Sequence, residues 1–174
     1  MNLENLLIKD VQLSRQIAIP ESRKKLRRAA IFFAHSGDSW FWIGGLGILW
    51  LVGPHVLRPK INIYLLGILI TALSVMILKF TIRRPRPSSD WGDVYRKTDP
   101  HSFPSGHATR AAMLAVLGIA LGPPWLSVLL ALWAPLVGLA RISLGVHYIS
   151  DVIVGIGLGI IFGLGTWGAS FLIL

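Results

Sequence analysis

Leu3, Leu6, Leu7 and Val11 recur at helical spacing with Glu4, Lys9, Asp10 and Arg15 between them, so residues 1–19 predict an amphipathic helix too charged to cross a membrane. Pro20 and Glu21 open a second segment, in which Arg23, Lys24, Lys25, Arg27 and Arg28 precede the apolar residues 29–33. This run reads either as a basic collar on anionic headgroups or as a solvated juxtamembrane face. Residues 39–57 carry no Lys, Arg, Asp or Glu and begin with Trp40, Phe41 and Trp42, which suit an interfacial aromatic belt, and Pro54 bends the end of this first span. A second uncharged stretch, 61–78, stops at Lys79, and the short Arg58-Pro59-Lys60 link makes the two an antiparallel hairpin. Residues 79–103 are polar and cap the bundle as an interfacial loop. Spans follow at 105–121, at 124–140 after the turn Gly122-Pro123-Pro124, and at 152–174, where Gly155, Gly157, Gly159, Gly163 and Gly165 point to close helix packing. No internal repeat is visible. The pattern predicts an all-α integral membrane protein: about five transmembrane helices plus an N-terminal amphipathic interfacial helix. Residues 1–38 form the basic N-terminal segment and 39–174 the membrane domain.

Composition agrees with this picture. Of 174 residues, 53% are hydrophobic and 14% charged, too apolar a balance for an ordinary soluble domain. The absence of cysteine excludes disulfides, thiol catalysis and zinc-thiolate sites. A formal charge of +9 points to phosphate-bearing partners, and the hydropathy makes them lipids rather than nucleic acid. Residues 1–35 lack the short basic stretch followed at once by an apolar core that a cleavable leader requires.

Tracing the chain through five spans places the end of the second, the start of the third, the end of the fourth and the start of the fifth on one side. Lys79, Arg86, His107, Arg141, His147 and Asp151 thereby converge from three separate loops. Any one of them alone reads as a snorkelling anchor; together they suit a phosphate group. Pro85 and Pro87 carry Arg86 out of the helix into an extended loop, where its guanidinium can fork onto phosphate beside the point charge of Lys79 and a third cation, Arg141. Pro104-Ser105-Gly106-His107 reads as a helix start with free N–H groups for an anion; His107 is then either a proton donor to a leaving alkoxide or a surface residue beside a plain cap. His147 and Asp151 stand four apart, so the carboxylate can hold one ring nitrogen and leave the other free as a nucleophile; the bland alternative makes Asp151 a helix cap. Arg110, one turn beyond His107, either reaches a second phosphate or headgroup or snorkels.

These residues resemble the three-part signature of the type 2 phosphatidic acid phosphatase family, whose superfamily includes the vanadium haloperoxidases. Residues 79–87, KFTIRRPRP, are similar to its first element, 104–107, PSGH, to its second, and 141–151, RISLGVHYISD, to its third, with spacing preserved. The resemblance covers about residues 36–165. It implies that His147 is transiently phosphorylated, Asp151 orients it, His107 protonates the leaving group, and Lys79, Arg86, Ser105, Gly106 and Arg141 hold phosphate, with no metal or cofactor. The implied substrate is a lipid phosphate or diphosphate: an isoprenoid phosphate, phosphatidate, phosphatidylglycerophosphate or a lipid-linked sugar phosphate.

Two departures stand out. Ala140 occupies a position that is usually Ser in the family, and the basic amphipathic segment replaces the first of the six spans common among bacterial members. The expected location is a prokaryotic cell membrane. The positive-inside rule puts the site on the cytoplasmic side, whereas the resemblance puts it outside. A noncatalytic anionic-lipid binder or transporter is the rival reading, and the presence of both His107 and His147 speaks against it.

Overall fold

The computed structural model describes residues 2–89 and 99–172. Residues 90–98 of the expected interfacial loop and 173–174 of the last expected span lie outside the described residues. Among the described residues seven α-helices follow in order: α1 (Leu3–Ile17), α2 (Lys24–Ser36), α3 (Ser39–Val52), α4 (Arg58–Ile82), α5 (Gly106–Leu121), α6 (Pro124–Ser143) and α7 (Ile149–Ser170), with a 3-10 turn at His55–Leu57 before α4.

Every apolar run forms a helix, but the ends shift. α4 begins at Arg58 because proline is tolerated in a first helical turn, and it runs past Lys79 to Ile82. Lys79 is therefore a buried residue inside the helix rather than its end. The true stop is Arg83, in the left-handed region at φ 52°, whose N–H bonds the Lys79 carbonyl at 2.9 Å just before Pro85. α4 with its leading turn, α6 and α7 are each long and apolar enough to cross a membrane, at 28, 20 and 22 residues. α3 and α5 are shorter apolar helices of 14 and 16 residues. At about 1.5 Å per residue, α3 falls short of a ~30 Å hydrocarbon core. The expected five thus comprise three full-length helices and two short ones.

α5 is the central post: Met113, Leu114 and Leu117 pack with Ile63, Tyr64 and Ile68 of α4, and Ala111 and Ala115 pack with Leu130, Ala134 and Val137 of α6. Outward faces of α4, α6 and α7 stay apolar, with Leu69, Ile77, Leu132, Ile153 and Ile161 exposed, which suits hydrocarbon as the surrounding solvent. α2 lies on α6 through Ala30, Ala34, Ala140 and Leu144, and α1 lies across the start of α7.

The glycine expectation resolves into a register. Gly155, Gly159 and Gly163 form one stripe of α7 against α5, while Gly157 and Gly165 face open space. At Gly159 an added Cβ would lie 2.2 Å from the Thr109 carbonyl oxygen. This seam brings the backbones close enough for the Ser105 N–H to bond the Asp151 carbonyl at 3.0 Å, joining the starts of the two helices. Gly159→Ala is expected to destabilise the protein by about 2 kcal/mol while Gly157→Ala is neutral; thermal unfolding in detergent, followed by tryptophan fluorescence, compares the two.

Candidate active site

Each element delivers its side chain for a local reason. α6 ends in a Schellman turn: Gly145, at φ 67°, donates to the Ile142 carbonyl at 2.8 Å, and Val146 donates to that of Arg141 at 3.1 Å. The His147 N–H also bonds the Arg141 carbonyl, at 3.2 Å, so the residue that carries a cation fixes the backbone of the histidine. Beyond α4, residues 84–86 run extended, with an isolated bridge pairing Pro85 and His101. Arg86 does not point outward, as a loop position suggests, but is buried, its Nε donating to the Asp99 carbonyl at 2.6 Å and Nη1 to that of Val146 at 3.1 Å. Ser105 caps α5, its hydroxyl accepting from the Ala108 N–H at 3.5 Å.

The structure brings the expected residues together. His147 presents Nε2 to Arg86 Nη1 at 3.3 Å and turns Nδ1 toward Asp151 Oδ2 at 3.5 Å. Burial pushes the His147 imidazole well below its ordinary value near 6.5, and the charges of Arg141, Arg86 and Lys79 push the same way, against a small opposing effect of the Ser102 backbone. The neutral ring is favoured, and its Nε2 lone pair accepts from the Arg86 guanidinium, which has only donors. Asp151 serves both readings at once: the oxygen facing His147 also accepts the Tyr148 N–H at 2.9 Å, capping α7.

Four contributors were not legible as site residues: Asp10, Asp38, Arg84 and Asp99. Asp38, in the turn between α2 and α3, bonds His107 Nε2 at 2.6 Å and His35 Nδ1 at 3.0 Å. Burial raises the Asp38 carboxyl, but the hydrogen bonds and charges of the two histidines outweigh it and hold the group down at about 2. Trp42 and Trp133 pin this turn through Ser36, and Arg110 forks onto the Gly37 carbonyl with Nε at 3.0 Å and Nη2 at 2.5 Å. Arg110 is therefore a buried strut, not a snorkelling side chain, although it also lines the cavity below. Asp99 pairs with Lys79 and, at 2.7 Å, with Arg86 Nη2, so one carboxylate offsets part of the charge of two of the three cations expected to meet phosphate. Arg84 joins Asp151 to Asp10. A signal existed: the chain has only 8 acidic residues against 17 basic ones. In so basic a chain each carboxylate is scarce, and Asp10, Asp38, Asp99 and Asp151 all face cations or histidines here.

A cavity of about 480 Å³ opens between α3, α4 and the start of α5 at Lys79, Asp99 and His107, while His147 lines a separate cavity of about 110 Å³ beside Ser14 and Tyr148. Lys79, Asp99, His107 and Asp38 line the polar end of the larger cavity, and Trp40, Ala72, Val75, Met76 and Phe80 its apolar flank. Such a cleft accommodates a charged head and an apolar tail side by side.

Residues 60–172 match the model of the PAP2 superfamily. The chain is 38% identical over 117 residues to decaprenylphosphoryl-5-phosphoribose phosphatase of Mycobacterium tuberculosis, covering 64% of each chain. It is 28% identical over 132 residues to undecaprenyl-diphosphatase of Sulfolobus acidocaldarius, covering 74% of this chain and 63% of that one. The matched stretch thus spans less than two thirds of either relative. The structure superposes on the transmembrane PAP2-type phosphatidylglycerolphosphate phosphatase of Bacillus subtilis with a TM-score of 0.81 and 25% identity, covering 98% of this chain and 88% of that one.

Because Asp99 competes for the cations that an anion needs, Asp99→Asn is expected to tighten the binding of inorganic phosphate. Its partly exposed carboxylate limits the gain to about fivefold, near 1 kcal/mol. Isothermal titration in detergent measures it.

Proposed function

The chain belongs to the PAP2 superfamily and is an integral membrane protein, and from that premise we propose that it hydrolyses a lipid phosphate through a phosphohistidine at His147. The observation that carries this reading is the His147 ring itself: neutral, Nε2 among the cations, Nδ1 toward a buried carboxylate. In the first step the Nε2 lone pair attacks phosphorus, the bond from phosphorus to the leaving oxygen breaks, and His107 gives that oxygen a proton. Asp151 stabilises the positive charge that grows on the ring. Lys79, Arg86 and Arg141, with the Ser105 hydroxyl and the Gly106 N–H, hold the phosphate oxygens. In the second step His107 takes a proton from water, the water oxygen bonds phosphorus, and the N–P bond breaks to release inorganic phosphate. Asp38 keeps the His107 ring in place between the two steps.

The tail of the substrate lies along Val75, Met76 and Trp40 in the cleft between α3 and α4. The two curated relatives carry polyprenyl substrates in their names, so a polyprenyl-linked phosphate or diphosphate leads the candidates, ahead of phosphatidate and phosphatidylglycerophosphate. Residues 1–38 form the basic segment on the membrane surface and 39–174 the embedded unit of a prokaryotic cell membrane, with Asp10 and Asp38 reaching across that division into the site.

The test is phosphate release from a panel of detergent-solubilised lipid phosphates in EDTA. Wild type is expected to turn over at least one of them, with the polyprenyl phosphates fastest, and folded His147→Ala to lose roughly 10³-fold or more. Undiminished turnover by the variant would remove His147 from the mechanism, and the absence of turnover by folded wild type on every lipid would favour a binding protein.

The depressed His147 value adds a pH prediction. A nucleophile whose folded value lies below 6.5 stays deprotonated as the pH falls through 6.5, so the acid limb of kcat/KM, corrected for substrate ionisation, falls below that pH. Lys79→Met removes a positive charge that disfavours the imidazolium, so it should move that limb upward in pH even as it lowers the overall rate. A limb that stays fixed or moves down would contradict the assignment.

A further inference from the structure

The first N–H groups of a helix have no partner within it. In α7 they are capped in trans by α1. The Ile149 N–H donates to Ser14 Oγ at 3.0 Å, and the Ser150 N–H donates to Asp10 Oδ1 at 3.0 Å. The Ser150 hydroxyl donates to Asp10 Oδ2 at 2.5 Å, and the Ser14 hydroxyl spends its own proton on the Asp10 carbonyl at 2.6 Å, leaving its lone pairs for Ile149. The same Asp10 carboxylate grips Arg84 Nη2 at 2.8 Å, while Arg84 Nη1 bonds Asp151 Oδ1 at 2.6 Å and the Ser150 hydroxyl at 2.6 Å. The guanidinium also lies 4.1 Å above the Tyr148 ring.

From this connected set we propose that Asp10 is a positioning residue for phosphoryl transfer, acting through Arg84 on Asp151 and so on His147. The proposal rests on the phosphatase reading above.

Asp151 has two oxygens and two tasks. Oδ1 is held by Arg84, and Oδ2 faces His147 Nδ1 while bonding Tyr148. Its orientation toward the histidine is set by Arg84 together with the Tyr148 N–H and the Ser102 side chain. Arg84 follows the left-handed stop of α4 on an extended segment, and two carboxylates on opposite sides fix its fork. Asp151 is completely buried, and Arg84 and Asp10 are 15% and 12% exposed, so little water is available to replace a lost partner. Without the Asp10 charge, the guanidinium is pulled wholly toward Asp151. That draws Oδ1 away and swings Oδ2 off the line to Nδ1, a gap already at 3.5 Å. A small displacement of an orienting group costs rate rather than substrate affinity.

The test uses the full chain in detergent, with the best lipid phosphate from the panel. Asp10→Asn and Arg84→Gln are each expected to lower kcat about tenfold with KM within about twofold of wild type. The double variant should be no slower than the slower single one, because the two act in series. Asp10→Glu should recover part of the loss. Hydrogen exchange should speed up at the Ser150 amide in Asp10→Ala, which has no side-chain acceptor, and at the Ile149 amide in Ser14→Ala. Wild-type kcat in Asp10→Asn, or losses that multiply in the double variant, would overturn the proposal. If Asp10→Asn does not fold, the division between kcat and KM in Arg84→Gln decides in its place. If wild type hydrolyses none of the lipids, the phosphatase reading has failed, and the exchange measurement still decides whether α1 caps α7: unchanged Ser150 protection in Asp10→Ala would refute the cap on its own.

Discussion

Mutual repulsion among buried cations governs the architecture at this end of the bundle. Lys79, Arg86, Arg110 and Arg141 are all buried, and Arg84 nearly so. Such a group holds together only where each charge meets a carboxylate, a carbonyl or an incoming anion. The irregular parts of the chain supply those partners. The left-handed stop at Arg83 and the extended stretch after it set Arg84 between two aspartates and Arg86 against the Asp99 and Val146 carbonyls. The α2–α3 turn offers the Gly37 carbonyl to Arg110. On the proposed reading, a phosphate dianion entering this cluster would relieve that repulsion further, which is a physical reason for such a site to favour an anion over a neutral headgroup.

Much of this was legible in the chain. Uncharged runs located the helices, and the prolines and glycines between them located most of the ends. The three polar motifs located the cluster, because an ionisable residue beside a membrane helix is costly and therefore informative. The failures have a common cause. Lys79 looked like a helix terminus because a charge ordinarily ends a span, yet its partner Asp99 lets it sit inside one. Arg86 looked exposed because flanking prolines imply a loop, and Arg110 looked like a headgroup contact or a snorkel because nothing nearby in sequence could bind it. Asp10 and Asp38 meet their partners across 74 and 69 residues, distances over which local pattern carries no information. The glycines of α7 show the same limit: all five look alike in sequence, and only the register against α5 separates Gly155, Gly159 and Gly163 from the two that face outward.

Structural and chemical readings of a residue often compete, yet here they coincide. Asp151 caps α7 with the same oxygen that faces His147, and Ser105 caps α5 at the mouth proposed for the phosphate. Arg141 supplies a charge from its side chain and a backbone anchor for His147 from its carbonyl. Weighing a cap against a catalytic role, residue by residue, misjudges such positions, because a helix end that must satisfy its own N–H groups is also the place where an anion or an imidazole can be held.

The glycine seam closes the wall between α5 and α7, while the cleft beside Lys79 and His107 opens between α3 and α4. On the proposed reading a lipid reaches the site through this cleft, at one end of the bundle. A lipid that loses its phosphate there and leaves through the same cleft returns to the leaflet that delivered it. Turnover would then alter the makeup of one leaflet without moving any lipid to the other, and transbilayer traffic of the product would fall to separate machinery.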